Sequence, residues 1–109
     1  MDENYIRLCR LDELEKGRTR LFSVEGEEML LTRENDSVYA VQNLCSHDGA
    51  PIGEGQVKEG ELTCPRHGAR FDIKNGRAMS LPAVMSLKSY PVKIVDGEIF
   101  VAPRYGSVR

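Results

Sequence analysis

CSHDGAPIGEGQVKEGELTCPRHG, residues 45–68, is the stretch on which the reading of this chain turns. It opens with a Cys-x-His pair, Cys45 and His47, and closes with a Cys-x-x-His pair, Cys64 and His67. These are the only two histidines in the chain. Glycine and proline flank both pairs, as residues that permit or impose tight turns, so each pair reads as a loop. One thiolate and one imidazole from each loop can converge on a small metal centre if the loops face each other. Soft thiolates with borderline imidazoles favour an iron-sulfur cluster or zinc over hard cations. A zinc-binding interaction domain with the same four ligands is the rival metal reading, since zinc takes Cys and His at similar short spacings. Common zinc fingers, however, place both Cys before both His, whereas the order here is Cys, His, Cys, His. A nucleophilic cysteine built on Cys45 or Cys64 lacks an arguable orienting residue. Metal-free core Cys and His is the plainest alternative.

Outward from this stretch the chain is a succession of short strands divided by turn signals, which predicts an all-β fold. Residues Glu28 to Thr32 and Ser37 to Gln42 read as a hairpin, with Glu34, Asn35 and Asp36 as turn formers between them. Tyr90 to Val95 and Glu98 to Ala102 read as a second, because Asp96-Gly97 suits the positive backbone angles of a tight hairpin turn. Weaker strand candidates are Tyr5 to Cys9, Arg18 to Val24, Glu61 to Cys64 and Arg70 to Ile73, the last running into a turn at Asn75-Gly76. A short helical turn is expected near Asp12 to Lys16. Between the hairpins, Asn43 to Met85 is dense in glycine and proline, as loops presenting a site would be.

The motif resembles that of the Rieske family, whose signature is Cys-x-His, a spacer of similar length, then Cys-x-x-His-Gly, all present from Cys45 to Gly68. The resemblance extends from about Val38 to Ala102. It implies a Rieske-like antiparallel β-sandwich with a cluster-binding subdomain formed by two loops, about 43–55 and 64–72. It also implies one 2Fe-2S cluster, with Cys45 and Cys64 on one iron and His47 and His67 on the other. Neutral imidazoles in place of two thiolates make such a cluster less negative and raise its potential above that of all-cysteine ferredoxins. Pro82, in Ser80 to Ala83, is similar to the proline loop that shields the cluster in these folds.

The chain departs from the high-potential members of the family. Those carry an extra Cys in each loop, joined as a disulfide, where this chain has Gly49 and Ala50 after His47, and Arg66 between Cys64 and His67. They also place a Ser directly after the His-Gly pair and a Tyr two residues on, both donating to cluster sulfurs, where this chain has Ala69 and Phe71. Hydrogen bonds to sulfur stabilise the more negative reduced cluster. Their loss predicts a potential low in the Rieske range of roughly -150 to +300 mV. In this the loops look like those of oxygenase-associated ferredoxins.

At 109 residues the chain is expected to form a single domain, residues 1–109, burying roughly two-thirds of its unfolded surface. With 29% charged residues and a formal net charge of -2, nothing points to nucleic acid or to a membrane. The amino terminus lacks an apolar signal core, and no stretch approaches the roughly 18 apolar residues of a membrane span, so a cytoplasmic location is expected. Three cysteines are too few for a disulfide scaffold, and Cys9 reads as a small strand residue. With no flavin motif, nicotinamide fingerprint or oxygenase iron triad, the chain is expected not to be an enzyme itself. The resemblance implies a monomeric one-electron carrier between a flavoprotein reductase and a terminal, ring-hydroxylating oxygenase, the small Rieske-like subunit of a nitrite reductase being the alternative. Arg66 and Arg70, beside His67, would then form a basic docking rim.

Overall fold

The run Met29-Leu30-Leu31-Thr32 is buried at every position. A strand with one wet face alternates apolar and polar residues, whereas a continuous apolar run fits a strand covered on both sides. The computed structural model, which describes residues 4–44, 51–53, 57–65, 68–80 and 85–107, has that arrangement. Its strands are β1 (Ile6–Arg10), β2 (Thr19–Val24), β3 (Glu27–Glu34), β4 (Ser37–Gln42), β5 (Glu61–Thr63), β6 (Arg70–Asp72), β7 (Ser89–Tyr90), β8 (Val92–Val95) and β9 (Glu98–Val101). They form a four-stranded sheet ordered β2-β3-β4-β7, a three-stranded sheet ordered β1-β9-β8 and the two-stranded β5-β6. Every strand pairing is antiparallel. Among the described residues no helix is long and apolar enough to cross a membrane.

The four-stranded sheet has a hydrophobic core on each face. Met29 and Leu31 of β3, with Val38 and Ala40 of β4, pack with Cys9, Ile99 and Val101 of the three-stranded sheet. Leu30 and Val41 pack on the opposite side with Ile52, Leu62, Cys64, Ala69, Phe71, Ile73 and Leu87. The period-two alternation of side chains along β3 and β4 thus divides frame from site-bearing region.

Both hairpins read from the sequence are present, and two further ones join β2 to β3 and β5 to β6. Asp96 and Gly97 have φ of 51° and 76°, the paired left-handed angles of a two-residue turn whose twist matches its strands. Glu25 and Gly26, with φ of 50° and 81°, join β2 to β3 in the same way. The expected strand Tyr90 to Val95 is divided. Tyr90 pairs with Ala40 in the four-stranded sheet, and after Pro91 the chain enters β8 and pairs with β9. Proline has no N–H for a ladder, so the chain changes sheets where it could not continue in one. The helical turn lies at Leu11–Glu13 rather than Asp12 to Lys16, closed by the Glu13 carboxylate accepting the Arg10 N–H at 3.0 Å. Lys16 instead bridges to Arg33.

Two glycines of like backbone angle separate conformational strain from steric contact. Gly76 has φ +75°, and a Cβ there would lie 2.4 Å from the Leu87 carbonyl oxygen; Gly17 has φ +77° with nothing within 4 Å. Gly17→Ala should cost about 1 kcal/mol, the left-handed penalty alone, and Gly76→Ala clearly more, because backbone must move. Denaturant midpoints of the two variants test this; equal losses would contradict it.

Candidate metal centre

The second motif sits on the β5-β6 hairpin. The ladder ends at Thr63 opposite Arg70, after which the Cys64 N–H donates to the Ala69 carbonyl at 2.8 Å and the Gly68 N–H donates back to the Cys64 carbonyl at 2.9 Å. The chain reverses tightly there, with Gly68 at φ +76°. Cys64 is wholly buried against Ala69 and Phe71, which are also fully buried. Cys9 and Cys64 are both reduced thiols. His67 and Arg66 lie outside the described residues, as do Cys45 and His47 of the first motif and Pro82 of the proline loop. Of the four sequence-predicted ligands, therefore, the structure describes Cys64.

The ends of the first loop are described. β4 stops at Gln42, and Asn43 follows with its side chain turned inward, 6% exposed. Its Oδ1 accepts the N–H groups of Ile52 and Gly53 at 3.0 and 2.9 Å. Ile52 packs in the same core as Cys64. The segment around the proline loop is tied at its base: Leu87 N–H donates to Gly76 O at 2.7 Å, Met79 N–H to Arg70 O at 2.8 Å, and the Ser80 and Ser86 hydroxyls accept the N–H groups of Arg70 and Ala78 at 3.1 and 3.3 Å. Asn43 was not legible as a site residue; its signal was a polar side chain between an apolar strand and a ligand loop.

A reduced, buried thiol at the tip of a tight hairpin is a suitable soft donor. Among the described residues no three His, Cys, Asp and Glu side chains converge to hold a metal. Cys9 lies within β1, and burial pushes its thiol pKa up, with Glu13 adding to the effect. The expected basic rim is reduced, since Arg70 Nη1 donates to Glu61 Oε1 at 3.0 Å across the hairpin and its charge is paired.

A cleft beside the first loop is lined by Glu27, Glu28, Gln42, Asn43, Pro51 and Tyr90. The Tyr90 hydroxyl donates to Glu27 Oε1 at 2.6 Å and Lys88 Nζ donates to the same oxygen at 3.1 Å. The Tyr90 bond, then that of Lys88, holds the Glu27 carboxyl below its ordinary pKa, while burial and then Glu27 push the Tyr90 hydroxyl up.

A family model described as Rieske [2Fe-2S] domain matches residues 4–91. The ferredoxin component of a naphthalene 1,2-dioxygenase system from Pseudomonas aeruginosa is 36% identical over 101 residues, spanning 93% of this chain and 97% of that protein. Among solved structures, the ferredoxin of carbazole 1,9a-dioxygenase from Nocardioides aromaticivorans IC177 superposes with a TM-score of 0.83 at 39% identity, covering 90% of this chain and 96% of the other. A chain in the complex of reduced oxygenase and oxidised ferredoxin of carbazole 1,9a-dioxygenase gives 0.84 at 26% identity, covering 93% and 94%.

The Tyr90–Glu27 bond sets a pH dependence. A carboxyl whose folded pKa is depressed contributes stability above its unfolded pKa and loses it as pH falls through the folded value. Tyr90→Phe should therefore be less stable than wild type by about 1 kcal/mol at neutral pH. The gap should narrow once the solution is more acidic than an ordinary Glu pKa of about 4.3. Denaturant unfolding of both proteins across this range tests it; a gap constant with pH would contradict it.

Proposed function

This chain belongs to the Rieske 2Fe-2S family, and from that premise we propose that it is a one-electron carrier ferredoxin. It takes an electron from a flavin-dependent reductase and delivers it to a terminal ring-hydroxylating oxygenase, working as a monomer in the cytoplasm and as a single Rieske unit over residues 1–109. The observation that carries the reading is the buried Cys64 thiol at the tip of a tight hairpin, in a fold whose relatives are named as ferredoxin components over nearly their whole length. Cys45 and Cys64 would hold one iron and His47 and His67 the other, from loops spanning about 43–55 and 64–72. When bound, the cluster supplies reversible one-electron transfer.

The chain's own residues bind and shield. Cys64 is presented from a hairpin whose tip is closed by two backbone hydrogen bonds, and Ala69 and Phe71 keep water from its buried side. If an iron holds each imidazole through one nitrogen, the other keeps a proton for hydrogen bonding to water or to a partner group. Docking transfers an electron and leaves the carrier's covalent structure unchanged, so the chain is a component of an oxidoreductase system rather than an enzyme.

Cys45→Ser and His67→Ala should each abolish the visible spectrum of the oxidised cluster, and Cys9→Ser should leave it intact. The reduced wild-type protein should give the paramagnetic resonance signal of a histidine-ligated cluster. Colour retained in either ligand variant would refute the assignment, and a colourless, zinc-loaded protein would refute the function.

Ala69 and Phe71 give a second expectation. Both are fully buried and carry no hydroxyl, so the wild-type midpoint should fall below zero, in the lower part of the family's range of roughly -150 to +300 mV. Ala69→Ser with Phe71→Tyr should raise it, because a buried hydroxyl is costly unless bonded and a cluster sulfur is the acceptor the resemblance implies. Voltammetry decides; a wild-type midpoint well above zero, or an unchanged one in the double variant, would overturn this account.

A further inference from the structure

We infer that Asn43 is a positioning residue for the ligand loop, setting through one side-chain oxygen the span from which Cys45 and His47 reach the cluster. Among the described residues, four hydrogen bonds fix Asn43. Its backbone N–H donates to the Glu28 carbonyl at 3.0 Å, and its Nδ2 donates to Glu28 Oε1 at 3.3 Å. Its Oδ1 accepts Ile52 N–H at 3.0 Å and Gly53 N–H at 2.9 Å. The first pair holds Asn43 to the beginning of β3; the second draws residues 52 and 53 back to it. Residues 44–51 lie between these two ends, and Cys45 and His47 are among them by sequence.

Two features make this more than an ordinary loop contact. Consecutive amides rarely point at one acceptor in extended chain. They do so here, at 3.0 and 2.9 Å, and Gly53 then takes a left-handed φ of +85°. Ile52, the residue so held, is 6% exposed and packs in the core that contains Cys64, Ala69 and Phe71. Asn43 thus registers the first ligand loop against the hairpin bearing the second. Losing Oδ1 would leave two N–H groups without their acceptor where the chain must keep its shape, and the spacing between the two ligand pairs would lose its fixed value.

The test separates acceptance by Oδ1 from mere bulk. Asn43→Ala removes both donor and acceptor. Asn43→Asp combined with Glu28→Gln keeps an oxygen for the two amides and places a new donor on the Glu28 side, so the network is rebuilt with its polarity exchanged. On purified holoprotein, iron release to a chelator and the resonance spectrum of the reduced cluster are the readouts. Asn43→Ala should lose iron about tenfold faster than wild type and shift the g values, and the paired variant should return both to near wild type. A bulk structural role would move unfolding midpoints yet leave the g values of folded molecules alone. Wild-type release from Asn43→Ala, or a paired variant as impaired as the alanine, would overturn the inference. If Asn43→Ala does not accumulate as holoprotein, hydrogen exchange of the 52–53 amides in wild type decides, slow exchange supporting the clasp and fast exchange refuting it. The inference rests on the ligand assignment above, which fails separately, through retained colour in Cys45→Ser.

Discussion

The structure depends on one strand, β3, that is buried on both faces. Met29, Leu30, Leu31 and Thr32 leave no side of β3 for water, and successive residues are committed to opposite cores. Burying a Leu or Met side chain fully is favourable by about 1.5–3 kcal/mol, so a one-residue slip of β3 would exchange two sets of such contacts at once. Register is therefore imposed from both sides. The β3-β4 pairing then fixes where Gln42 ends its strand, and so where the first ligand loop begins.

From that fixed point the site is held by polar groups at loop bases. Loops that leave a sheet carry backbone N–H groups which the ladder no longer satisfies, and buried ones require other partners. Here Asn43, Ser80 and Ser86 supply oxygens, and Gly76, where a Cβ would strike the Leu87 carbonyl, lets Leu87 come close enough for its N–H to donate to the Gly76 carbonyl. Hydrophobic burial selects the fold, while these side-chain caps set the spacing of the segments that meet near Cys64. Binding sites lose function through small errors of supporting geometry, so the polar ties matter beyond their modest contribution to stability.

The sequence disclosed the four candidate ligands through spacing and residue type, and it disclosed those hairpins whose turns use ordinary turn chemistry. Asp96-Gly97 was readable because Asp and Gly tolerate positive φ. Glu25-Gly26 makes the same turn and was missed because Glu rarely adopts it, so the β2-β3 hairpin was seen as strands without their connection. Pro91 was visible as a residue, but its consequence required knowing that two sheets lie within reach of one segment. The Arg70–Glu61 pair was hidden for a related reason, since only the register of β5 on β6 brings these residues together. Asn43 was hidden because a clasp is defined by its acceptors' partners nine and ten residues on, which no local pattern specifies.

Cys9 and Cys64 show why burial alone does not mark a metal ligand. Both are reduced and nearly inaccessible, at 3% and 0% exposure. Cys9 stands within a strand, next to a register irregularity between Arg7 and Cys9, and its neighbours in β1 are held to β9 by the ladder. Desolvation works against its thiolate, and Glu13 of the following turn adds to that effect. Cys64 stands where the ladder has just ended, bonded to Ala69 and Gly68 across the reversal, with Gly68 at φ +76°. If Cys64 holds an iron as proposed, metal charge rather than hydration would compensate a thiolate kept from water there. Backbone topology thus separates two buried cysteines: Cys9 is held inside a ladder and Cys64 stands just past the end of one.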